Sequence, residues 1–275
     1  MKIDMHCHTK EGSPDGKVAL LNNIELLKER GFNGMLITDH NSYKAYRYYK
    51  NLENKPEDFT VLCGIEYDTL NAGHIIVILP TDVRPKIMEL RGLPVGLLIE
   101  IVHHYGGILG PAHPCGEKFL STFNTRIGKK LKEDLIKRFD FIETYNACED
   151  DYSNSDAKTL AAKYKLPEFG GSDSHKEDCV GCGYTILEKN VANESELIQY
   201  VKDGHPTKAD GTHYFFTTKQ KLGKINNVLV YSFWFYNRFL AFIRSNARAF
   251  ELRNNKQLQP IKYRKVRYID LSEDE

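Results

Sequence analysis

The sequence is poor in several features that would have named a function class at once. Lys and Arg together number 38 and Asp and Glu 37, so the net charge is only +1. A balance this close to neutral gives no overall drive toward nucleic acid or an anionic surface. No apolar run approaches the ~20 residues that span a bilayer. No basic stretch followed by an apolar one opens the chain, so no secretory signal is expected and the reading is of a cytoplasmic protein. The six cysteines are scattered through expected strands and loops, which argues for reduced thiols rather than a disulfide framework. Cys179-x-x-Cys182 has no second pair at zinc-ribbon spacing and lies among glycines, so it reads as a loop carrying plain structural cysteines. No segment repeats another, which excludes a solenoid.

What is present is an ordinary globular composition, 41% apolar and 27% charged, over a length that suits one barrel-sized α/β domain or a domain with an appendage. The pattern begins with Lys2-Ile3-Asp4-Met5-His6-Cys7-His8. Side chains alternate faces along a strand, so Asp4, His6 and His8 share one face and Ile3, Met5 and Cys7 the other. Paired imidazoles fill a core poorly and hold a metal ion well.

Strand-like and helix-like segments then alternate. Helices are expected over 18–29, 42–52, 95–104, 129–138, 155–164 and 194–202, from apolar spacing and from glycines that end them. Short apolar runs fall at 34–40, 59–66, 73–79, 108–114, 141–146, 168–175 and 183–187. Continuous apolar strands flanked by helices are the pattern of a covered parallel sheet, and roughly seven strand–helix repeats make a parallel barrel the leading fold. Residues 212–275 differ. Positions 228–252 read as one long aromatic-rich and arginine-rich helix, and the end is an acidic tail.

The polar residues at the ends of these runs form a set: His6, His8, Asp15, His40, Glu66, His113, Asp173 and His175, with His74 at the start of its run. Six of the ten histidines belong to it. In a parallel barrel, strand ends and the loops after them carry the chemistry. Histidines at successive strand termini, interleaved with carboxylates, point to metal binding.

These motifs run in order: Asp4-x-His6-x-His8, Ser13-x-Asp15-Gly16, Thr38-Asp39-His40, Gly64-x-Glu66, Ala112-His113-Pro114 and Ser172-Asp173-Ser174-His175. In this the chain resembles the polymerase-and-histidinol-phosphatase (PHP) domain family over about residues 1–210. The resemblance implies a distorted TIM-like barrel of seven strand–helix units (residues 1–211) with a C-terminal helical extension (212–275), and a trinuclear metal site at the barrel mouth. His6, His8, Glu66 and Asp173 would hold the first ion. Glu66 would bridge to a second, completed by His74 and His113. Asp15, His40 and His175 would hold the third. Asp15 is the carboxylate variant of a position where the family has His or Asp.

Imidazole mixed with carboxylate suits zinc, iron or manganese without selecting one. Three divalent cations facing three carboxylates leave excess positive charge, which a phosphate ester would complement. The expected activity is therefore hydrolysis of a small phosphate monoester or a nucleotide, with His40 or His175 assisting proton transfer. Asp4 and Asp39 are expected to orient ligand imidazoles or to make strand-end hydrogen bonds. Asn146 is a candidate substrate contact at the mouth. Lys118, Arg126, Lys129 and Lys130 are candidate phosphate-binding cations or a solvated helix face. His103 and His104 read as structural, and the motifs do not claim His205 or His213.

Two other readings compete. An amidohydrolase-like C–N hydrolase shares the first-strand His-x-His, but no lysine stands clearly at a strand end to bridge metals. A nuclease with a C-terminal nucleic-acid-binding arm would use Arg238, Arg244, Arg248, Arg253, Lys256, Lys262, Arg264, Lys265 and Arg267 with interleaved aromatics. The preferred reading of that segment is an amphipathic helix packing its aromatic face on the barrel or on a partner subunit, because aromatics at helical spacing are usually core.

Overall fold

A computed structural model describes residues 1–116, 120–214 and 225–263. Lys118, Arg264, Lys265, Arg267 and the acidic tail lie outside the described residues. The described residues form a mixed α/β fold with ten strands in three sheets.

Strand β1 (Lys2–Cys7) is central to the first sheet. Its apolar face, Ile3 and Met5, is buried with Leu36, Leu62, Phe141 and Phe169. It pairs in parallel with β2 (Gly34–Ile37), which pairs in parallel with β3 (Thr60–Cys63). On its other side lie β9 (Gly183–Leu187) and β10 (Thr207–Gly211), both in antiparallel pairings. Helix α1 (Leu20–Glu29) covers this sheet through Leu20, Ile24 and Leu27, the spacing of one helix face. Gly31, at φ 73°, ends it.

The second sheet corrects the barrel expectation. Strands β4 (Ile65–Asp68), β5 (His74–Ile78) and β6 (Ile108–Pro111) pair antiparallel in that order. The reason is the connection after β4. Residues 69–73 are a turn, and a parallel neighbour needs a crossover of roughly a dozen residues or more. Gly73 (φ 69°) supplies the left-handed turn position. The expected single strand over 59–66 is also split, at Gly64, where the chain leaves β2 for β5. The third sheet is the parallel pair β7 (Ile142–Asn146) and β8 (Glu168–Gly171).

Single bridges join the sheets where the site forms. His40 pairs with Glu66 and Cys7 with Ser174. The ends of β1, β2, β4, β6 and β8 thus face one region, but no continuous ladder closes a barrel among the described residues.

The remaining helices are α2 (Lys44–Lys50), α3 (Val95–His104), α4 (Arg126–Lys130), α5 (Lys132–Ile136), α6 (Asp151–Tyr164) and α7 (Glu194–Lys202). The helix expected over 129–138 is two short ones broken at Leu131. His103 and His104 lie on α3, His103 against Asp140 at 3.0 Å. All six cysteines are free.

The C-terminal extension is not one helix over 228–252. It is α8 (Ile225–Ile243), α9 (Ser245–Asn254) and α10 (Gln259–Tyr263), with a break at Arg244. Most of its aromatic side chains do not pack on the rest of the described chain. Phe235, Phe239, Phe242 and Phe250 are 54–77% exposed. The helix is apolar nearly all round, so its pattern did not show which stripe is seated. The seated one runs through Phe233, Asn237 and Ala241, and farther on Leu258 and Ile261 are buried in the main core. No helix among the described residues is long and apolar enough to cross a membrane.

Candidate metal centre

Each candidate residue reaches the centre for a local reason. His6 and His8 project from the end of β1 on one face. His40 follows β2, Glu66 stands in β4, and His113 follows β6. His74 begins its strand rather than ending it. Because β5 runs antiparallel to β4, its start lies beside the end of β4, and His74 is the register partner of Asp68. Asp173 and His175 follow β8, and Asp15 comes from the loop after β1. His113 (φ 31°) and Asp173 (φ 50°) hold positive φ, a conformation that side-chain-bearing residues rarely adopt and that clusters at functional sites.

Glu66 is the middle of the arrangement. Its Oε2 lies 3.2 Å from His8 Nε2, 3.6 Å from His6 Nε2 and 3.3 Å from His40 Nδ1. Its Oε1 lies 2.9 Å from His74 Nδ1 and 3.1 Å from His113 Nε2. Asp173 Oδ1 approaches His6 and His8 at 3.5 and 3.3 Å. Asp15 Oδ2 faces His175 Nε2 at 3.1 Å and His40 Nε2 at 3.6 Å. The nine candidates come together: His8, Asp15, His40 and His175 form one group, His6, His8 and Asp173 a second, and His40, Glu66 and His74 a third, linked by His8 and His40, while His113 joins through Glu66.

Three observations bear on whether metal ions fit. The donors are buried imidazoles and carboxylates; His6 and His8 are fully enclosed, whereas the side chains of Asp15 and His175 are 39% and 31% exposed. Several approach each other without hydrogen-bonding geometry: His40 Nδ1, both ring nitrogens of His74 and Asp68 Oδ1 are buried and have no hydrogen-bond partner. Buried polar atoms are normally paired, so a converging unpaired set is what a cation would satisfy. The charges also call for one. Burial alone would depress His6, but the carboxylates of Asp173, Glu143 and Glu66 outweigh it and hold the ring well above its usual pKa. His8, likewise buried, is pushed up to about 9 by Asp173 and Glu66. Burial would raise Glu66, yet His74, His40 and His6 bring it well below the usual carboxylate range. A divalent cation meets the same carboxylates without protonated imidazoles. The residues fit metal ions.

The supporting residues were mostly missed from sequence. Glu143, fully buried on β7, accepts from His6 Nδ1 at 2.8 Å through Oε1, and through Oε2 from the His113 backbone N–H at 2.5 Å. Ser13 Oγ lies 3.1 Å from His8 Nδ1 and Ser121 Oγ 3.2 Å from His113 Nδ1. Asp68, on the same strand face as Glu66, lies 3.1 Å from His40 and 3.2 Å from His74, and Arg91 neutralises it at 3.2 Å. The Glu66-x-Asp68 spacing on one strand is a signal that could have found Asp68. Nothing pointed to Glu143, because a register shift between Glu143 and Tyr145 breaks the alternation.

Asp4 and Asp39 do not orient imidazoles. Asp4 accepts from the Ser172 and His6 amides, and Asp39 from the Thr9 amide and hydroxyl. Burial raises both carboxyls to about 6. Asn146 is fully buried and donates to Glu143 and to Asp173, at 3.2 Å each. It tethers a candidate ligand.

With this geometry in view, the comparisons are specific. Residues 4–147, just over half of the chain, match the PHP domain, and residues 151–206 match the PHP-associated segment that follows it. The chain belongs to the PHP domain family. No curated protein matches the sequence. Among solved structures it is similar to PsfC from Pseudomonas syringae PB-5123, at 16% identity and TM-score 0.54, over 84% of this chain and 98% of that one. It is also similar to endonuclease Q in complex with a 27-mer duplex bearing an abasic lesion, at 15% identity and TM-score 0.54, over 77% of this chain and 60% of that one. The endonuclease Q of Pyrococcus furiosus gives 16% and 0.52, over 76% and 57%. At such identities these likenesses speak to the fold alone.

Helix α8 brings an aromatic side chain to the centre. Phe233 sits 5.5 Å from the His40 ring and 6.2 Å from the His74 ring, measured between centroids. Helices α8 and α9 are held by Arg91 to Asn237, by Arg244 at the break between them to the Glu89 carbonyl (2.8 Å), and by Arg248 of α9 to the Arg91 carbonyl (2.6 Å). Gly92, at φ 95°, lets Ala241 approach; a Cβ there would lie 2.5 Å from that of Ala241. One Arg91 side chain thus ties Asp68 of the centre to the helix above it. Between α8 and the segments around α4 lies a cleft of about 430 Å³ that opens onto Asp68 and His74.

Proposed function

We propose that the protein is a metal-dependent phosphoesterase that hydrolyses a small phosphate monoester or a nucleotide. The observation that carries this reading is Glu66, whose two oxygens face two separate imidazole sets. In this reading His6, His8, Glu66 and Asp173 hold one ion, Glu66, His74 and His113 a second, and Asp15, His40 and His175 a third. Zinc, iron and manganese are the candidates by donor type. Asp68 adds an oxygen donor beside His40 and His74. Divalent ions so placed stabilise negative charge on the attacking and leaving oxygens of a phosphate ester.

The chain's own groups divide the remaining work. Glu143, Ser13 and Ser121 fix the rings of His6, His8 and His113, so the opposite nitrogen of each ring faces the centre. Asn146 holds Asp173 in place. The more open Asp15–His175 pair stands where substrate and water enter, and water at this open side would supply the proton to the leaving oxygen. Buried His40 keeps Asp15 oriented.

A strand end of nucleic acid is the second reading, favoured by Arg126 and Arg238 on the walls of the adjoining cleft. The test is phosphate release by metal-loaded protein from a panel of phosphomonoesters, nucleotides and end-phosphorylated oligonucleotides, with a panel of C–N substrates on the same preparation. Release that stops on chelation supports the proposal. Hydrolysis of the C–N panel alone would replace it with an amidohydrolase.

A further inference from the structure

Helix α8 carries apolar side chains on two opposite sides, and the domain uses only one of them. Phe233, Asn237 and Ala241, spaced by one helical turn, are the seated side. The outward side runs through Val228, Phe235, Phe239 and Phe242, each more than half exposed. With exposed Ser232 these residues follow an alternating four–three spacing, the seam that one helix offers to another. Leu229, Tyr236 and Ile243 border the seam on one side, and Tyr231 and Arg238 on the other.

The size of this surface calls for a partner. A whole aromatic side chain presents about 150–250 Å², so Tyr231, Phe235, Tyr236, Phe239 and Phe242, at 44–77% exposure, leave roughly 600 Å² in water. Val228, Leu229 and Ile243 bring the patch toward the ~800 Å² that one partner gives to a standard interface, and past the roughly 300–600 Å² of the largest patch on a typical monomer. Residues 215–224 and 264–275, outside the described residues, are mostly polar and supply no comparable apolar set.

The character of the surface selects the partner. No charged side chain interrupts the seam, so it meets a copy of itself about a two-fold axis without opposing like charges. Aromatic-rich, charge-poor surface is also what forms the core of homodimer interfaces. A membrane-surface helix instead sets a charged face opposite its apolar one, and here that opposite side is seated on the domain.

We infer that α8 is a dimerisation helix, its Val228–Phe242 seam packing on the same seam of a second copy of this chain. Tyr231 belongs both to the border of the seam and to the wall of the cleft that opens onto Asp68 and His74. The second copy therefore stands beside the entrance to the metal centre, while every candidate ligand comes from one chain. The inference is independent of the phosphoesterase reading.

The test is sedimentation equilibrium of the full chain, loaded with zinc, at micromolar concentration. Wild type is expected at twice the chain mass. Combining Phe235→Glu with Phe239→Glu sets carboxylates from both copies in the paired seams; this variant is expected to sediment as a monomer with wild-type far-UV circular dichroism, its dissociation constant raised about 100-fold or more. Phe239→Ala, which removes contact and adds no charge, is expected to raise the constant about ten-fold. Tyr152→Glu, at an exposed aromatic on α6, is expected to stay dimeric. A monomeric wild type overturns the inference; if that monomer pellets with vesicles of phosphatidylcholine and phosphatidylglycerol, the seam faces a membrane instead. A dimer that the seam variants leave intact, or that Tyr152→Glu breaks equally, places the contact elsewhere and overturns it too.

Discussion

Glu143→Gln tests how strongly one buried carboxylate governs the centre. Glu143 is 1% exposed and holds three donors: His6 Nδ1 at 2.8 Å, the His113 amide at 2.5 Å and Asn146 Nδ2 at 3.2 Å. Gln has the same shape but replaces one acceptor oxygen with an NH₂ donor. If the NH₂ faces His6, the ring must accept at Nδ1 and so carries its proton on Nε2, the nitrogen that faces Asp173 and Glu66. That tautomer cannot ligate. If the NH₂ faces the His113 amide, a buried backbone donor loses its partner, at a cost of about 1–3 kcal/mol. Either arrangement weakens metal binding by about 10–100-fold, the range for losing such a ligand-orienting group, or about 1.4–2.7 kcal/mol. Chelator-competition titration reads the affinity, and far-UV circular dichroism confirms the fold. A Glu143→Gln protein that binds metal as tightly as wild type would refute the assignment of Glu143 as the orienting group of His6 and His113.

Other outcomes follow from the same geometry. Gly92→Ala forces a side chain into a left-handed backbone and against Ala241, which should cost about 1–3 kcal/mol and lower Tm by several degrees in calorimetry; an unchanged Tm would show that α8 is not seated there. Metal affinity should rise with pH. In the metal-free centre His6, His8, His40 and His113 bind protons more tightly than usual, with His8 raised to about 9, and a metal must displace those protons. Binding therefore releases protons, and affinity falls as pH drops from 9 to 6. Titration calorimetry in buffers of different ionisation enthalpy measures the release, and equal heats would contradict it.

How much of this could be read from residues alone depended on whether a local rule survived its surroundings. Strand alternation put His6 and His8 on one face, and both point into the centre. The same rule relates Glu66 and Asp68. It fails on β7, where a register shift puts Glu143 and Asn146 on one cluster at odd spacing. The parallel barrel was inferred from continuous apolar strands, but a strand buried on both faces reads the same whichever way its neighbour runs. The short 69–73 turn was the better signal, and it also explains why His74 joins the centre from a strand start. The seating of α8 left no sequence mark, since Phe233 differs from exposed Phe235 and Phe239 only in what it touches.

The central claim is that these strand-end residues form one metal-dependent centre for phosphate ester hydrolysis. Its most direct test is the metal content and phosphate release of wild type and His8→Ala, measured on the same metal-reconstituted preparations. His8 faces both Glu66 and Asp173. The account predicts that wild type binds metal and releases phosphate, and that His8→Ala stays folded, loses bound metal and loses most activity. Wild-type protein that binds metal yet releases no phosphate from any ester, or a His8→Ala variant with full metal content and full activity, would contradict it.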